Sequence, residues 1–181
     1  MDRELETERL LLRPFRRSDA GAVRALCGSW KVARMTARIP HPYPDGLAES
    51  WITSTIRARE HGEGYVFCLE QDGEPIGAVG LERTAEGIYE LGYWVGEPWW
   101  GRGFATEVVR RLVRFAFDDL SASQVTAGHF LDNPASGRVL ENCGFAYTGE
   151  DELWCAARGR RVTCRRLVRA RNQAQAPRAT P

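Results

Sequence analysis

The chain has 181 residues, of which 43% are hydrophobic and 27% are charged, and its formal net charge is +1. These values are typical of one globular domain with a sizeable core, and they give no global field that would require nucleic acid or a membrane surface as a partner. No apolar run reaches the length of a membrane span, and the N-terminus lacks the basic and apolar regions of a signal peptide, so we expect a cytoplasmic protein.

Hydrophobic periodicity and turn signals indicate an alternation of strands and helices. Seven strands are predicted, over residues 7–13, 65–70, 75–81, 88–95, 124–130, 145–155 and 162–169. The strand–helix–strand unit over residues 88–130 implies a parallel strand pair with a right-handed crossover. We expect a single domain over residues 1–171 and a disordered tail over residues 172–181.

Four helices are predicted between these strands. Ser18 and Asp19 are N-cap candidates for the first helix, and Asp45 is the N-cap candidate for the second. The third helix covers residues 106–117, with an apolar face at helical spacing and arginines on the opposite side. The fourth covers residues 134–141 and is short.

The most informative segment is the turn Trp-Trp-Gly-Arg-Gly-Phe-Ala-Thr-Glu at residues 99–107, between the strand at 88–95 and the third helix. A strand that enters a glycine-bearing turn and a helix N-terminus leaves backbone N–H groups unpaired, and the helix dipole adds positive potential. Gly101 and Gly103 remove the Cβ atoms that would keep a phosphate away. The segment therefore predicts a site for a phosphate-bearing ligand. A dinucleotide-binding fingerprint is the weaker alternative, because Thr106 stands where its third glycine belongs.

Four motifs, in this order along the chain, resemble the GNAT N-acetyltransferases and within them the RimJ/RimL-like group. They are Thr7 to Phe15 with Ser18-Asp19-Ala20, Glu90 to Val95, Gly101 to Glu107, and Asp132 to Ser136 with Val139 to Phe145. The resemblance implies an α/β fold, with a mixed, mostly antiparallel twisted sheet of about seven strands and helices on both faces. Its fourth and fifth strands, at 88–95 and 124–130, would run parallel and splay apart. Acetyl-CoA is the implied co-substrate, and the implied reaction is acetyl transfer to a primary amine.

The resemblance assigns the coenzyme to the glycine turn and to neighbouring strand and helix ends. The implied binding residues are Trp94, Val95, Trp100, Gly101, Arg102, Gly103, Phe104, Ala105, Thr106 and Asn133. Amides of the turn would take the pyrophosphate, while the strand edge at Trp94 and Val95 would pair with the pantetheine arm and stabilise the oxyanion. Asn133 is also a sufficient N-cap for the fourth helix, and one side chain can serve both roles. The superfamily's loop begins with Gln or Arg where this chain has Trp100, an aromatic that the RimJ/RimL-like group often carries.

Glu90 and Ser136 are the candidate catalytic residues. An acceptor α-amine has a pKa of about 8 and a lysine amine one of about 10.4, so a base must take a proton before the amine attacks. Glu90 lies on the strand beside the turn, on the face of Gly92 and Trp94, although an ion pair with an arginine would explain it equally well. The resemblance implies Ser136 as the donor to the departing CoA thiolate, and its alternative is a serine that merely starts a helix.

Other candidates surround these two. Asp132 and Glu82 are alternative bases. Tyr147 is an alternative donor whose simpler explanation is a buried strand aromatic, and His129 reads as a packed strand-end residue. The loop at residues 41–44, His-Pro-Tyr-Pro, either borders the acceptor cleft or is a stiff surface loop. The five cysteines show no metal-binding spacing and indicate core residues in a reducing compartment, so no metal is predicted.

The sequence therefore predicts an acetyl-CoA-dependent N-acetyltransferase whose acceptor is a protein N-terminus or a small-molecule amine. Two other classes stay open: a catalytically idle acyl-CoA-binding module, and an interaction protein that uses the basic C-terminal hairpin. The arginines between Arg158 and Arg171 indicate a solvated hairpin face rather than a nucleic-acid site, because no aromatic residues interleave with them to stack bases. A homodimer is compatible with such a fold.

Overall fold

The computed structural model describes residues 3–171, which form one eight-stranded sheet with helices on both faces. The strands are β1 (Leu5–Glu6), β2 (Leu11–Pro14), β3 (Gly64–Gln71), β4 (Glu74–Ala85), β5 (Ile88–Val95), β6 (Gln124–Phe130), β7 (Ala146–Cys155) and β8 (Arg160–Ala170). The helices are α1 (Ala20–Cys27), α2 (Trp30–Ala33), α3 (Leu47–Glu60), α4 (Phe104–Asp118) and α5 (Pro134–Asn142). The predicted tail at 172–181 lies outside the described residues.

The strand order is β1-β2-β3-β4-β5-β6-β8-β7, and every neighbouring pair is antiparallel except β5–β6. The sheet has one strand more than the seven predicted, because residues 7–10 of the predicted strand at 7–13 form a turn and the extra strand β1 lies before this turn. The amide of Thr7 donates to the carbonyl of Leu10, and the Thr7 hydroxyl bonds the same residue. The chain therefore folds back, and Leu5 pairs with Leu12 across a short hairpin.

The parallel pair β5–β6 is joined at only one end. Its register runs from Ile88 opposite Gln124 to Leu91 opposite Ala127, and beyond that point the two strands no longer pair with each other. Both continue, β5 through Gly92–Val95 beside β4 and β6 through Gly128–Phe130 beside β8. The expected parallel and splayed pair is thus confirmed, and we call the gap between Gly92–Val95 and Gly128–Phe130 the slot.

Alternate residues of the strands pack against different helices. On one face, which we call the α4 face, Leu91, Val95 and Val125 pack beneath the apolar side of α4, including Val108 and Leu112. On the other, the α3 face, the main buried residues that pack with α1 and α3 are Phe15, Val23, Cys27, Ile52, Cys68 and Ala78, with Trp94 partly buried beside them. Fully burying such a side chain contributes about 1.5–3 kcal/mol, so each helix is held by its apolar face.

Of the two predicted helix caps, Asp45 is wrong and Asp19 is right in position only. Asp19 is the N-cap residue of α1, but its carboxylate makes no cap hydrogen bond; it accepts two hydrogen bonds from the Arg13 guanidinium, at 2.8 and 2.9 Å. Arg13 is only 3% exposed, and a buried cation needs a paired anion more than a helix needs a side-chain cap. Helix α3 begins after Gly46, whose φ is +74°, and Asp45 forms an exposed ion pair with Arg24 instead.

Within residues 3–171 no helix is both long and apolar enough to cross a bilayer. The same part of the chain contains no group of three or more His, Cys, Asp or Glu side chains placed to hold a metal ion. All five cysteines are buried free thiols, at the core positions expected from their apolar surroundings.

Candidate active site

The turn between β5 and α4 presents a row of unpaired amides. Gly101 and Gly103 have φ values of +75° and +81°, and α4 begins at Phe104 with Gly103 as its N-cap. Among the hydrogen bonds of residues 3–171, none is donated by an amide between Gly101 and Thr106. A Cβ atom on Gly101 would meet nothing within 4 Å, so the approach to these amides is open. We call residues 101–106 the phosphate loop, because free amides at a helix N-terminus fit an anion.

Arg9 braces this loop from the other end of the chain, a contact that sequence reasoning missed. Its guanidinium donates to the carbonyl of Arg102 at 2.8 Å and to Glu107 at 2.7 Å, and it lies 4.5 Å from the centre of the Phe104 ring. The Arg9 amide also donates to Glu107, at 2.9 Å. Burial favours a higher pKa for Glu107, but hydrogen bonds from Thr7 and Arg9 outweigh it and lower the pKa. The negative charge of Glu107 is therefore paired with Arg9, and this pairing reduces its repulsion of an anion at the loop.

The strand edge beside the loop differs from the prediction for Trp94. The amide of Gly96 donates to Ile76 at 2.8 Å, and hydrogen-bonded pairs alternate along an antiparallel ladder, so Trp94 directs its backbone groups to β4. The Trp94 carbonyl lies 2.4 Å from the position of a Cβ on Gly77 of β4. The backbone groups of Val95, the next residue, point towards the slot, and its carbonyl accepts a 2.6 Å hydrogen bond from the Trp100 indole. The Val95 amide therefore faces the slot, whereas that of Trp94 does not.

Helix α5 brings Asn133 and Ser136 to the slot. The Asn133 side chain accepts from the Ser136 amide at 3.2 Å, so the predicted N-cap is confirmed and the Asn133 NH₂ remains available as a donor. The Ser136 hydroxyl lies 2.7 Å from the hydroxyl of Tyr93, which comes from β5 two residues beyond the last β5–β6 pair. Burial raises the pKa of Tyr93, so this phenol stays neutral and keeps its proton.

His129 occupies the corresponding place on β6. It is 6% exposed, its Nδ1 lies 2.9 Å from the Phe130 carbonyl, and its Nε2 lies 3.1 Å from the Tyr147 hydroxyl. Because a carbonyl can only accept, Nδ1 is the donor and, in the neutral ring, Nε2 accepts from Tyr147. Both side chains lie under Gly137, where a Cβ atom would come within 2.9 Å of each. The packed histidine fits the expectation, but Tyr147 is 43% exposed and is not a buried aromatic.

Glu90 lies on the α3 face with Gly92 and Trp94, as its position in the strand predicted. Its carboxylate accepts a 3.0 Å hydrogen bond from Arg166 of β8, and Arg166 also donates to Asp151 at 2.8 Å. The side chains of Glu90 and Arg166 are 36% and 30% exposed, so solvent reaches both. Of the two explanations left open for Glu90, the ion pair with an arginine is present, and its role as a base stays a prediction.

The site consists of a loop of free amides, the slot beside it and a capped helix across the slot. Comparison of the sequence with known families adds a match to this geometry. Residues 9–146 match the acetyltransferase (GNAT) domain model. The chain belongs to the GNAT acetyltransferase family. The match covers the second, third and fourth motifs in full and the first from Arg9 onwards, so the resemblance stated above is confirmed, and this GNAT protein is an acyltransferase with acetyl-CoA as co-substrate.

Three individual proteins illustrate the similarity of this GNAT enzyme. It is 32% identical over 149 residues to the uncharacterised N-acetyltransferase YoaA of Bacillus subtilis, covering 80% of this chain and 84% of that one. It is 24% identical over 157 residues to the [ribosomal protein uS5]-alanine N-acetyltransferase of Escherichia coli, covering 80% and 79%. A solved structure of RimL, a ribosomal L7/L12 α-N-protein acetyltransferase in complex with coenzyme A, shares the fold with a TM-score of 0.83, 15% identity and coverage of 93% and 98%.

The alternative bases of the GNAT enzyme are held by arginines. Asp132 binds Arg158 at 2.9 Å and Arg34 at 3.1 Å, and its pKa is lowered, chiefly by the hydrogen bond from Arg158. A carboxylate with a lowered pKa is a weaker proton acceptor. Glu82 stands opposite Glu90 on β4 and pairs with Arg38 at 2.7 Å, in an exposed position.

The loop at residues 41–44 begins beside α2. His41 packs its ring against Trp30 with centroids 5.4 Å apart, and Tyr43 is partly buried against the α1–α3 core. Burial raises the pKa of Tyr43 to about 12, so its phenol is neutral at ordinary pH. The loop is therefore packed against the helices of the α3 face, on the side of the sheet that carries Glu82 and Glu90.

The arginine-rich hairpin β7–β8 neutralises much of its own charge. Arg165 pairs with Glu150 at 2.9 Å, Arg166 pairs with Asp151 and Glu90, and Arg158 pairs with Asp132. The acidic residues of β7 thus face the basic residues of β8 across the hairpin. This internal pairing favours the solvated-hairpin interpretation over a free basic surface.

Proposed function

We propose that this GNAT enzyme transfers acetyl from acetyl-CoA directly to a primary amine that enters from the α3 face of the slot. The observation that carries the proposal is the phosphate loop, whose unpaired amides end beside the gap between β5 and β6. The loop supplies binding energy at a distance from the reacting bond, and such energy can be used to orient the thioester.

The coenzyme is assigned to the residues predicted from the sequence, with one change. The amides of Gly101 to Thr106, which include those of Arg102, Phe104 and Ala105, would take the diphosphate, and the Asn133 NH₂ would contact the pantetheine arm. The edge of β5 offers the Val95 amide for pairing and for stabilising the oxyanion, in place of Trp94. Trp100 supports this edge through its bond to the Val95 carbonyl.

Glu90 is proposed as the base that removes a proton from the acceptor amine through a water molecule. Only the neutral amine attacks the thioester carbonyl, and an α-amine with a pKa of about 8 is mostly protonated at neutral pH. The contact with Arg166 uses only Oε1 of Glu90, and within residues 3–171 its Oε2 makes no hydrogen bond. A carboxylate with one free oxygen, part-exposed on the α3 face, can still accept a proton.

Ser136 is proposed as the hydrogen-bond donor to the departing CoA thiolate. The α5 N-terminus contributes positive potential at the same place, because the first amides of a helix lack internal partners. The neutral amine adds to the thioester carbonyl, the C–S bond breaks, and the sulfur leaves with the electron pair. Two protons leave the nitrogen: Glu90 takes the first before the attack and passes it to solvent, and it then takes the second from the nitrogen of the tetrahedral adduct as the amide forms.

The acceptor is a protein N-terminus or a small-molecule amine. The name of the uS5-alanine acetyltransferase relative supports the first. We expect a panel of peptides with free N-termini, amino acids, polyamines and aminoglycosides to identify the class through release of free CoA. Turnover with any amine, absent with the N-blocked form of the same compound, supports the enzyme.

A catalytically idle acyl-CoA-binding module is the second candidate, and the ion pair between Glu90 and Arg166 is the observation that favours it. The two candidates separate in one experiment. Tight calorimetric binding of acetyl-CoA without CoA release across the amine panel would support the idle module, and absence of binding would contradict both.

We further propose a reducing cytoplasmic location, supported by five free buried thiols. Homodimer formation is proposed as well, and light scattering of the purified protein tests it. A monomer at all concentrations would contradict the dimer without affecting the site.

A further inference from the structure

Two hydroxyl groups from separate elements meet beside the slot, Tyr93 from β5 and Ser136 from the first turn of α5. Their oxygen atoms are 2.7 Å apart, and the Tyr93 hydroxyl is also 3.3 Å from the backbone carbonyl of Ser136. The amide of Ser136 is bonded to Asn133 at 3.2 Å. Ser136 is therefore held at its amide, its carbonyl and its side chain, which is more than a helix-start serine needs.

The direction of the 2.7 Å bond follows from the chemistry of the two hydroxyl groups. A phenol is more acidic than an alcohol and is the stronger hydrogen-bond donor, so we assign Tyr93 as the donor and Ser136 Oγ as the acceptor. The longer, 3.3 Å contact of the Tyr93 hydroxyl with the Ser136 carbonyl is the weaker of the two. A serine hydroxyl that accepts one bond keeps its own proton free for another partner.

We propose that Tyr93 is a positioning residue for acetyl transfer, which orients the Ser136 proton towards the sulfur of the departing CoA. The inference rests on the donor role assigned to Ser136 under the proposed function. Tyr93 touches Ser136 and is not required to touch the thioester. Linked hydroxyl groups polarise one another, so the bond from Tyr93 also makes Ser136 a stronger donor.

Neither hydroxyl needs to lose its proton. A thiol has a pKa of about 8.5, whereas an ordinary tyrosine has one of about 10 and burial raises that of Tyr93 further. The departing thiolate is therefore a weaker base than either alkoxide or phenolate. The pair stabilises the thiolate by a hydrogen bond, and the pH dependence of kcat should contain no step from Tyr93.

A double-mutant cycle on the intact protein tests the pair, with Tyr93→Phe, Ser136→Ala and the double variant assayed with acetyl-CoA and an amine acceptor. Tyr89→Phe is the matched control, because Tyr89 lies on the same strand and the same face four residues earlier. We expect Tyr93→Phe to lower kcat about 10-fold, the value of about one hydrogen bond, with an unchanged KM for acetyl-CoA. The double variant should be no slower than Ser136→Ala, and Tyr89→Phe should retain the wild-type kcat.

Three outcomes overturn the inference. Full additivity of the two substitutions, or a wild-type kcat in Tyr93→Phe, shows that Tyr93 does not act through Ser136. A fall of the wild-type kcat at high pH that is absent in Tyr93→Phe shows proton donation by Tyr93 rather than positioning. A wild-type kcat in Ser136→Ala removes the donor role of Ser136 and with it the inference, while the enzyme's acetyl transfer stands.

A second variant guards against a folding defect in Tyr93→Phe. Ser136→Thr keeps the Oγ atom and leaves Tyr93 untouched, so the pair can still form. Retention of most of the wild-type kcat in Ser136→Thr, against its loss in Ser136→Ala, supports the hydroxyl pair independently of any change at Tyr93. Equal losses in the two Ser136 variants contradict it.

Discussion

The two sides of the slot are built in different ways. On the side proposed for the coenzyme, the phosphate loop consists of six consecutive residues whose backbone amides donate no hydrogen bond within residues 3–171. On the α3 face, the acidic side chains at and around Glu90 come from β4, β5 and β7, and each accepts a hydrogen bond from an arginine of another segment. The phosphate loop is formed by a short stretch of chain, whereas the ion pairs on the α3 face exist only after the whole sheet has assembled.

This difference has consequences for how each side tolerates change. Main-chain amides do not depend on side-chain identity, so the loop is sensitive mainly to substitutions that alter its backbone conformation or its charge. The ion pairs near Glu90 are 30–57% exposed at their acidic members and at Arg166, and pairs of that exposure contribute little individually. We therefore expect coenzyme binding to be fragile at a few glycines and acceptor recognition to be adjustable through many side chains.

The largest effect is expected from Gly103→Glu in the phosphate loop. A side chain at a φ of +81° is strained, and a carboxylate there repels the diphosphate. We expect the Kd for acetyl-CoA, measured calorimetrically, to rise about 100-fold or more, equivalent to about 2.7 kcal/mol.

Gly73→Glu is the matched control for Gly103→Glu. Gly73 has a φ of +84° in the β3–β4 turn, with nothing within 4 Å of a Cβ atom, so it carries the same strain and charge away from the loop. Acetyl-CoA affinity should stay within a factor of two of wild type in this variant. Equal affinities in the wild type and Gly103→Glu would remove the loop from the account of binding.

The next largest effect is expected on the α3 face, for Glu90→Gln. Without the base, the rate follows the fraction of neutral amine, which rises about tenfold per pH unit below an amine pKa of about 8. General bases contribute about 10²–10⁴-fold, and the bond to Arg166 places Glu90 below that range. We expect kcat to fall about 10-fold at pH 7 and to approach the wild-type value above pH ~9.

Glu82→Gln provides the comparison for Glu90→Gln, since Glu82 stands directly opposite on β4 and is also bonded to an arginine. Its kcat should change by less than threefold at every pH. A larger loss in Glu82→Gln than in Glu90→Gln would move the base to β4, and a parallel loss at all pH values in Glu90→Gln would point to a structural role.

The features that can be predicted from the sequence are those formed within short segments, and the features that cannot are those assembled from distant segments. The glycines at 101 and 103, the N-cap at Asn133 and the parallel pair β5–β6 are encoded locally, by turn chemistry and periodicity, and they are predictable. The contact of Arg9 with Arg102, 93 positions away, has no local signal. The turn at residues 7–10 was missed because it contains no glycine or proline and leads directly into the apolar run Leu10-Leu11-Leu12, which indicates a strand.

Side-chain partners on the α3 face were equally beyond prediction. Nothing near Glu90 in the chain indicates that Arg166, 76 positions later, will bond to it, because β8 reaches that place only by inserting between β6 and β7. The position of Tyr93 could have been predicted. It is three residues from Glu90 and therefore lies on the opposite face of the strand, the face of the following helices. Its contact with Ser136 could have been inferred once both were assigned to the slot.

A smaller effect is expected from Arg9→Ala, on the coenzyme side. The substitution removes the bond to the Arg102 carbonyl and the contact with Phe104, so the loop amides lose part of their preorganisation while remaining in place. It also removes the cation paired with Glu107 near the diphosphate, although the bond from the backbone amide of residue 9 remains. We expect KM for acetyl-CoA to rise about 5- to 10-fold, since one brace is worth about one hydrogen bond, with kcat unchanged.

Arg111→Ala is the control for Arg9→Ala. Arg111 also ties the N-terminal segment to α4, through a 3.2 Å bond to the Glu6 carbonyl, but it lies on the helix beyond the loop. A KM for acetyl-CoA that rises equally in both variants would show that the N-terminal segment, rather than the loop brace, is responsible.

The smallest effect is expected from Asp132→Asn at the mouth of the slot. Asp132 links Arg34 and Arg158, and its pKa lies below the ordinary value of 3.8, chiefly because Arg158 donates to it. A lowered pKa means that its contribution is complete above that value and is lost only as pH falls through the lowered pKa, so between pH 6 and 9 the carboxylate stays charged. We expect the acceptor KM to rise about 2- to 3-fold at low salt and to converge with wild type in about 0.5 M salt, as for a part-exposed ion pair. A bell-shaped pH profile that loses its acidic limb in Asp132→Asn, but not in Glu90→Gln, would instead assign the base to Asp132. The base would then lie on the segment that precedes α5 and not among the strand residues of the α3 face.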